Sequence, residues 1–137
     1  MKLPDTNVLI HAVNPDAAQH KVAAIWLAQA FDSPSGVALL GFVHITTRSG
    51  ILPRPLSVTQ ALQAVNHWLA QPTAQIIQPG ERHAPLLGRL LLGAGTAGNL
   101  TNDAHLAAPA IEHGATLGSF DRDFERFAGL RFELLKA

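Results

Sequence analysis

At 137 residues, 47% of them hydrophobic, the chain is long enough to bury one sizeable core, which predicts a single domain over residues 1–137. The absence of cysteine excludes disulfides, thiolate zinc sites and thiol nucleophiles, so a metal must be held by oxygen or imidazole nitrogen. Ten basic and ten acidic residues balance, which excludes an overall cationic field as the route to nucleic acid but leaves room for a local one.

The acids are unevenly placed: none occurs between Asp32 and Glu81, a stretch that holds His44, Arg48, Arg54 and His67. Pro4 and Asp5 follow Lys2 almost at once, so no continuous apolar segment of signal-peptide type opens the sequence. No run approaches the ~20 apolar residues of a membrane span. A cytoplasmic protein with no membrane partner is the expectation.

Lys2-Leu3-Pro4 predicts a very short strand that delivers Asp5 into a turn before a helix. Residues 17–30 put Val22, Ile25, Trp26 and Gln29 at helical spacing, with three apolar side chains on one face. That face is either core or, where it exceeds what a small core can cover, a homodimer surface. Val37-Ala38-Leu39 predicts a second strand, and residues 41–47 begin another helix. Pro53 and Pro55 prevent residues 51–56 from being helical throughout.

Ser57-Val58-Thr59-Gln60 is a capping-box pattern, followed by Val58, Ala61, Leu62, Val65, Trp68 and Leu69 at helical spacing before Pro72. Gln75-Ile76-Ile77 predicts a strand, residues 86–92 an apolar helix, and residues 102–113 a helix ended by Gly114. Pro109 removes a backbone bond inside that last helix. Residues 116–120 and 131–134 predict strands. Short strands alternating with longer helices indicate an α/β fold with a mainly parallel sheet.

In open parallel sheets the reactive crevice lies beyond the carboxyl ends of the strands. Asp5 follows the first predicted strand and Asp121 the strand at 116–120. Asp103 falls in the first turn of a helix capped near Thr101 or Asn102, where the helix dipole stabilises a carboxylate. Three carboxylates converging in one crevice resist full ionisation unless a cation neutralises them, and hard oxygen ligands suit Mg²⁺ or Mn²⁺. The plainer roles stay open: an Asp at a helix N-terminus is also a cap, and an Asp after a strand is also a turn residue. Asp123 either lines the site or caps the turn at Phe124.

Three segments carry a resemblance. Pro4-Asp5-Thr6-Asn7-Val8-Leu9-Ile10 is similar to the opening motif of PIN-domain proteins, Thr101-Asn102-Asp103-Ala104-His105-Leu106-Ala107-Ala108 to their third acidic motif, and Ser119-Phe120-Asp121-Arg122-Asp123-Phe124 to their last. Gly41-Phe42-Val43-His44-Ile45-Thr46-Thr47 and Phe124-Glu125-Arg126-Phe127-Ala128-Gly129-Leu130 further resemble the VapC toxins, especially an actinobacterial branch. The resemblance implies a three-layer α/β/α PIN domain and a Mg²⁺-dependent, single-strand-specific endoribonuclease restrained by a VapB-like antitoxin. In it Asp5, Asp103 and Asp121 hold or orient the metal. Asn7 and Ser119 either support those aspartates or only order turns. His44 stands where relatives often carry arginine, so it either touches phosphate or is a plain surface histidine.

One departure stands out. Similar proteins commonly carry a glutamate two residues before the Gly-Phe pair, where this sequence has Leu39. Weaker metal binding, or metal retention that depends on substrate phosphate, is the expected consequence. A PIN-fold interaction protein without catalysis is the alternative that this departure raises.

Gly93-Ala94-Gly95-Thr96-Ala97-Gly98 matches the G-x-G-x-x-G spacing of dinucleotide-binding folds, with Asp121 near the distance of a ribose-binding acid. That fingerprint must leave a strand and open a helix, whereas residues 86–92 are predicted helical. His105 and His113 are eight residues apart and no H-E-x-x-H pattern occurs, which speaks against a zinc site between them.

Overall fold

Every strand among the described residues is three or four residues long, so the sheet depends on what the helices press against it. The computed structural model describes residues 1–37, 42, 54–95 and 100–137. In chain order the elements are β1 (Lys2–Pro4), α1 (Thr6–Ala12), α2 (His20–Ala30), β2 (Ser35–Val37), α3 (Val58–Leu69), β3 (Ala74–Ile76), α4 (His83–Ala94), α5 (Thr101–Glu112), β4 (Thr116–Ser119), a 3₁₀ turn (Arg122–Arg126) and β5 (Arg131–Leu134). The strands form one sheet in the order β3-β2-β1-β4-β5, with every pairing parallel.

Register sorts the two faces. Leu3 of β1 lies beside Leu117 of β4, which lies beside Phe132 of β5. This row packs with Leu86 and Leu90 of α4 and with Ala104, Ala107 and Ala108 of α5. The alanine-rich face lets α5 approach closely, and Pro109 is accommodated inside the helix. One residue on, the chain turns the other face outward: a Cβ on Gly118 would lie 2.3 Å from the Trp26 ring of α2. Trp26, Val8 and Ala23 form the core on that side. Val37, Leu27, Val65 and Trp68 form a third cluster where α3 joins the layer. Helices therefore cover both faces of a parallel sheet, the three-layer α/β/α arrangement.

The local signals account for much of this. Ser57 Oγ accepts from the Gln60 amide at 3.1 Å and Gln60 Oε1 accepts from the Ser57 amide at 2.9 Å, which closes the capping box of α3. Gly114 ends α5 at φ +62°, a conformation costly for any residue with a side chain.

Some expectations need correction. The buried face of α2 is Ala23, Trp26, Leu27 and Ala30, and Ile25 is 49% exposed, so the stripe of Val22, Ile25 and Trp26 does not face one way. Helix α4 starts at His83 and runs through Gly93 and Ala94. Gly95 closes it at φ +74°, so Gly93, Ala94 and Gly95 terminate a helix rather than leave a strand, and the dinucleotide-binding reading fails. Leu100 is the N-cap of α5 and supplies no side-chain bond, so neither Thr101 nor Asn102 caps it. Of the predicted helix at 41–47 only Phe42 is described, and residues 51–53 of the segment at 51–56 lie outside the described residues.

Candidate active site

Strand order reverses beside β1: β2 lies on one side of it and β4 on the other. A crevice opens beyond the carboxyl ends of such neighbouring strands, because the connections leave the sheet in opposite directions. Asp5 is the first residue after β1, and Ser119 is the last of β4, two residues before Asp121.

Asp5 is held on three sides. Its amide donates to the Gly118 carbonyl at 2.8 Å. Its Oδ1 accepts from the Thr6 amide at 2.7 Å, capping α1, and its Oδ2 accepts from the Ser119 hydroxyl at 2.7 Å. Burial pushes its carboxyl pKa up; the bonds from Ser119 and Thr6 oppose that, and the charge of Asp121 reinforces it. Ser119 Oγ in turn accepts from the Asp121 amide at 3.0 Å and from Asn7 Nδ2 at 3.0 Å. The half-buried Asn7 and the buried Ser119 thus form a polar bracket between α1 and β4. Ser119 bonds Asp5 and the Asp121 backbone directly, and Asn7 reaches them only through Ser119.

Asp121 caps the 3₁₀ turn by accepting the Asp123 amide at 2.9 Å. That turn carries Asp123 round to the same side. One carboxylate oxygen from each of Asp103, Asp121 and Asp123 lies within 4.8 Å of the others. Asp103 arrives from the first turn of α5 and is pushed up to about 7, chiefly by burial and then by the charges of Asp5, Asp121 and Asp123. Burial and neighbouring negative charge both disfavour the ionised form, a cost that a bound cation would relieve, and the donor set is all oxygen. Residues of this kind fit Mg²⁺ or Mn²⁺.

Of the predicted site residues, Asp5, Asp103, Asp121, Asp123, Asn7 and Ser119 come together at this edge. Asp103, Asp121 and Asp123 form the tight trio, with Asp5 electrostatically coupled to Asp103 and Asp121. His44 and Leu39 lie outside the described residues. The sequence left one contact unsuspected: His105 meets His83, 22 positions away, rather than His113.

The sequence matches the PIN domain family over residues 2–130. The chain belongs to the PIN-domain family. Within it this PIN domain belongs among the VapC ribonucleases. It is 45% identical over 138 residues to ribonuclease VapC37 of Mycobacterium tuberculosis, covering 97% of this chain and 96% of that protein. It is 37% identical over 137 residues to ribonuclease VapC33 of the same organism, covering 96% of each. The fold is shared with a chain of VapBC2 from Rickettsia felis, whose structure is bound to a DNA fragment from their promoter: TM-score 0.67, 20% identity, 98% of each chain.

Proposed function

We propose that this PIN domain, taken as one domain over residues 1–137, is a Mg²⁺-dependent, single-strand-specific endoribonuclease and the toxin of a VapBC-type pair. The observation that carries this reading is the convergence of Asp103, Asp121 and Asp123 within 4.8 Å, beside the buried Asp5, at the switch point of the sheet. Family membership and relatives named ribonucleases support it.

Asp103, Asp121 and Asp123 would hold the divalent ion, with Asp5 completing the negative wall. When bound, Mg²⁺ stabilises charge on phosphate oxygens and acidifies water for attack on phosphorus. The chain's own residues set the conditions for this. The bonds from Ser119 and Thr6 favour the ionised form of Asp5 and offset part of the burial that raises its pKa. Asn7 fixes the Ser119 hydroxyl so that its proton points to Asp5. Asp103 is only partly exposed and Asp5 is 9% exposed. A phosphodiester must therefore enter the crevice to meet them, which a single strand does with less distortion than a duplex.

A VapB-like antitoxin is the partner, supported by the occurrence of this fold in a VapBC assembly. A basic side chain from such a segment would neutralise the aspartates in place of metal, excluding both ion and RNA. A groove of about 620 Å³ between α2 and α3, floored by Leu27, Phe31, Ala64 and Trp68, offers apolar surface to the same partner. Homodimerisation through Ile25, 49% exposed on α2, belongs to the same reading, as does action in the cytoplasm, where the RNA substrates are.

The test is cleavage of total RNA with and without Mg²⁺, wild type against Asp5→Asn. Metal-dependent cleavage by the wild type alone is expected. Metal binding without cleavage would overturn the enzyme reading in favour of an interaction protein. In cells, growth arrest on expression should be relieved by a co-expressed antitoxin and absent in Asp5→Asn; equal toxicity of both proteins would mean that catalysis at this site does not cause the arrest.

A further inference from the structure

His83 and His105 lie on different helices, α4 and α5, and meet edge to face with ring centroids 4.6 Å apart. His83 Nε2 and His105 Nδ1 are 2.9 Å apart, so one proton lies between two nitrogen lone pairs. The other nitrogen of His83, Nδ1, is buried and has no hydrogen-bond partner among the described residues. A histidine ring is held in one tautomer when its outer nitrogen is anchored on a carbonyl or carboxylate. This one has no such anchor at Nδ1, and the ring is free to change tautomer.

Two nitrogens 2.9 Å apart, each about 2.05 Å from a common cation, subtend about 90° at it. That is the cis angle of octahedral or tetragonal coordination, not the wider angle of tetrahedral zinc. Glu112 lies seven residues after His105 on α5, hence on the same helical face. Its carboxylate accepts the Gly80 amide at 3.1 Å and its charge acts on His83. It supplies negative charge near the pair without belonging to a tight three-ligand cluster; among the described residues only Asp103, Asp121 and Asp123 form one. Asp103 is two residues before His105, which turns the two side chains to nearly opposite sides of α5.

We propose that His83 and His105 form a second, imidazole-based metal site for a borderline divalent ion of octahedral or tetragonal preference, Ni²⁺ or Cu²⁺, with water completing the shell. Binding replaces the shared proton: it moves to the outer nitrogen of the ring that carries it, so that His83 is protonated on Nδ1 and His105 on Nε2, and both rings turn until the freed lone pairs converge. No net proton is released. The bound ion ties the N-terminal turn of α4 to the helix that carries Asp103. Hard oxygen ligands hold Mg²⁺ at the aspartates while the imidazoles take the softer ion, so the two sites select different metals.

The experiment is calorimetric titration of untagged, full-length protein with Ni²⁺ in saturating Mg²⁺. Wild type and Asp103→Asn should each bind one Ni²⁺, and His83→Gln and His105→Gln should each weaken it at least about tenfold. Ni²⁺ should also broaden the His83 and His105 ring resonances of the wild-type protein first, a readout that needs no variant to fold. Unchanged Ni²⁺ affinity in both histidine variants, loss of binding in Asp103→Asn alone, or broadening confined to other histidines overturns the proposal.

Discussion

The Ser119 hydroxyl donates to Asp5 Oδ2 at 2.7 Å across 114 positions of sequence, joining the end of β4 to the residue that follows β1. The same oxygen accepts the Asp121 amide, so one buried atom lowers the pKa of one site carboxylate and anchors the backbone of another. Ser119→Ala removes both effects. Asp5 loses a bond that lowers its pKa, so the acid limb of the activity profile should move to higher pH, and Mg²⁺ affinity should fall about 10- to 100-fold. Cleavage measured across pH at several Mg²⁺ concentrations checks this; a uniform loss of activity with no movement of the limb would show that Ser119 matters only to folding.

Asp5→Asn, Asp103→Asn and Asp121→Asn should each reduce RNA cleavage by at least about 100-fold while leaving the circular dichroism spectrum native, since each removes one charge from a repelling group. Wild-type activity in any pair of them combined would remove these residues from the site. Asp123→Asn separates the two roles of that residue. A loss of Mg²⁺ affinity of about tenfold marks a ligand, and no loss marks a turn residue.

The pH dependence of stability should run opposite to that of a salt-bridged aspartate. Asp103 titrates at about 7 in the metal-free fold against 3.8 in its unperturbed state. Below about pH 4 both folded and unfolded chains hold the proton, and the group contributes nothing to the difference. Between about 4 and 7 the unfolded chain has released it and the folded chain has not, so stability falls as pH rises and stays low above 7. His11 and His83, whose pKa values burial lowers, push the other way. The difference in melting temperature between wild type and Asp103→Asn in EDTA isolates the Asp103 contribution: the variant should gain on the wild type from pH 4 to 7, and saturating Mg²⁺ should cancel much of that gain. Parallel curves for the two proteins would contradict it.

Gly118→Ala should destabilise the fold by about 1–3 kcal/mol, because the added methyl would lie 2.3 Å from the Trp26 ring and neither β4 nor a buried indole can easily give way. Trp26→Leu in the same background should recover part of the loss by making room. Chemical denaturation of the two single variants and the double variant gives the coupling. Additive losses would mean that the close approach is not what makes Gly118 necessary.

The sequence by itself determined the element types, the capping box at Ser57, the stop at Gly114 and the three acidic segments, because each is written in residues adjacent in the chain. Periodicity and turn chemistry are local, and so is the placement of Asp5, Asp103 and Asp121 at the starts of helices or turns. Only the tertiary structure decided which face of α2 is buried, since Trp26 points inward to cover Gly118 while Ile25, one residue before it, points out. It also decided that Gly93, Ala94 and Gly95 close a helix, and that Asp123 joins Asp103 and Asp121 through the curvature of the 3₁₀ turn. The bond from Ser119 to Asp5 and the contact of His83 with His105 span 114 and 22 positions. No local pattern encodes them, because parallel strands become neighbours only through crossover helices, and the sheet order brings the ends of β1 and β4 together.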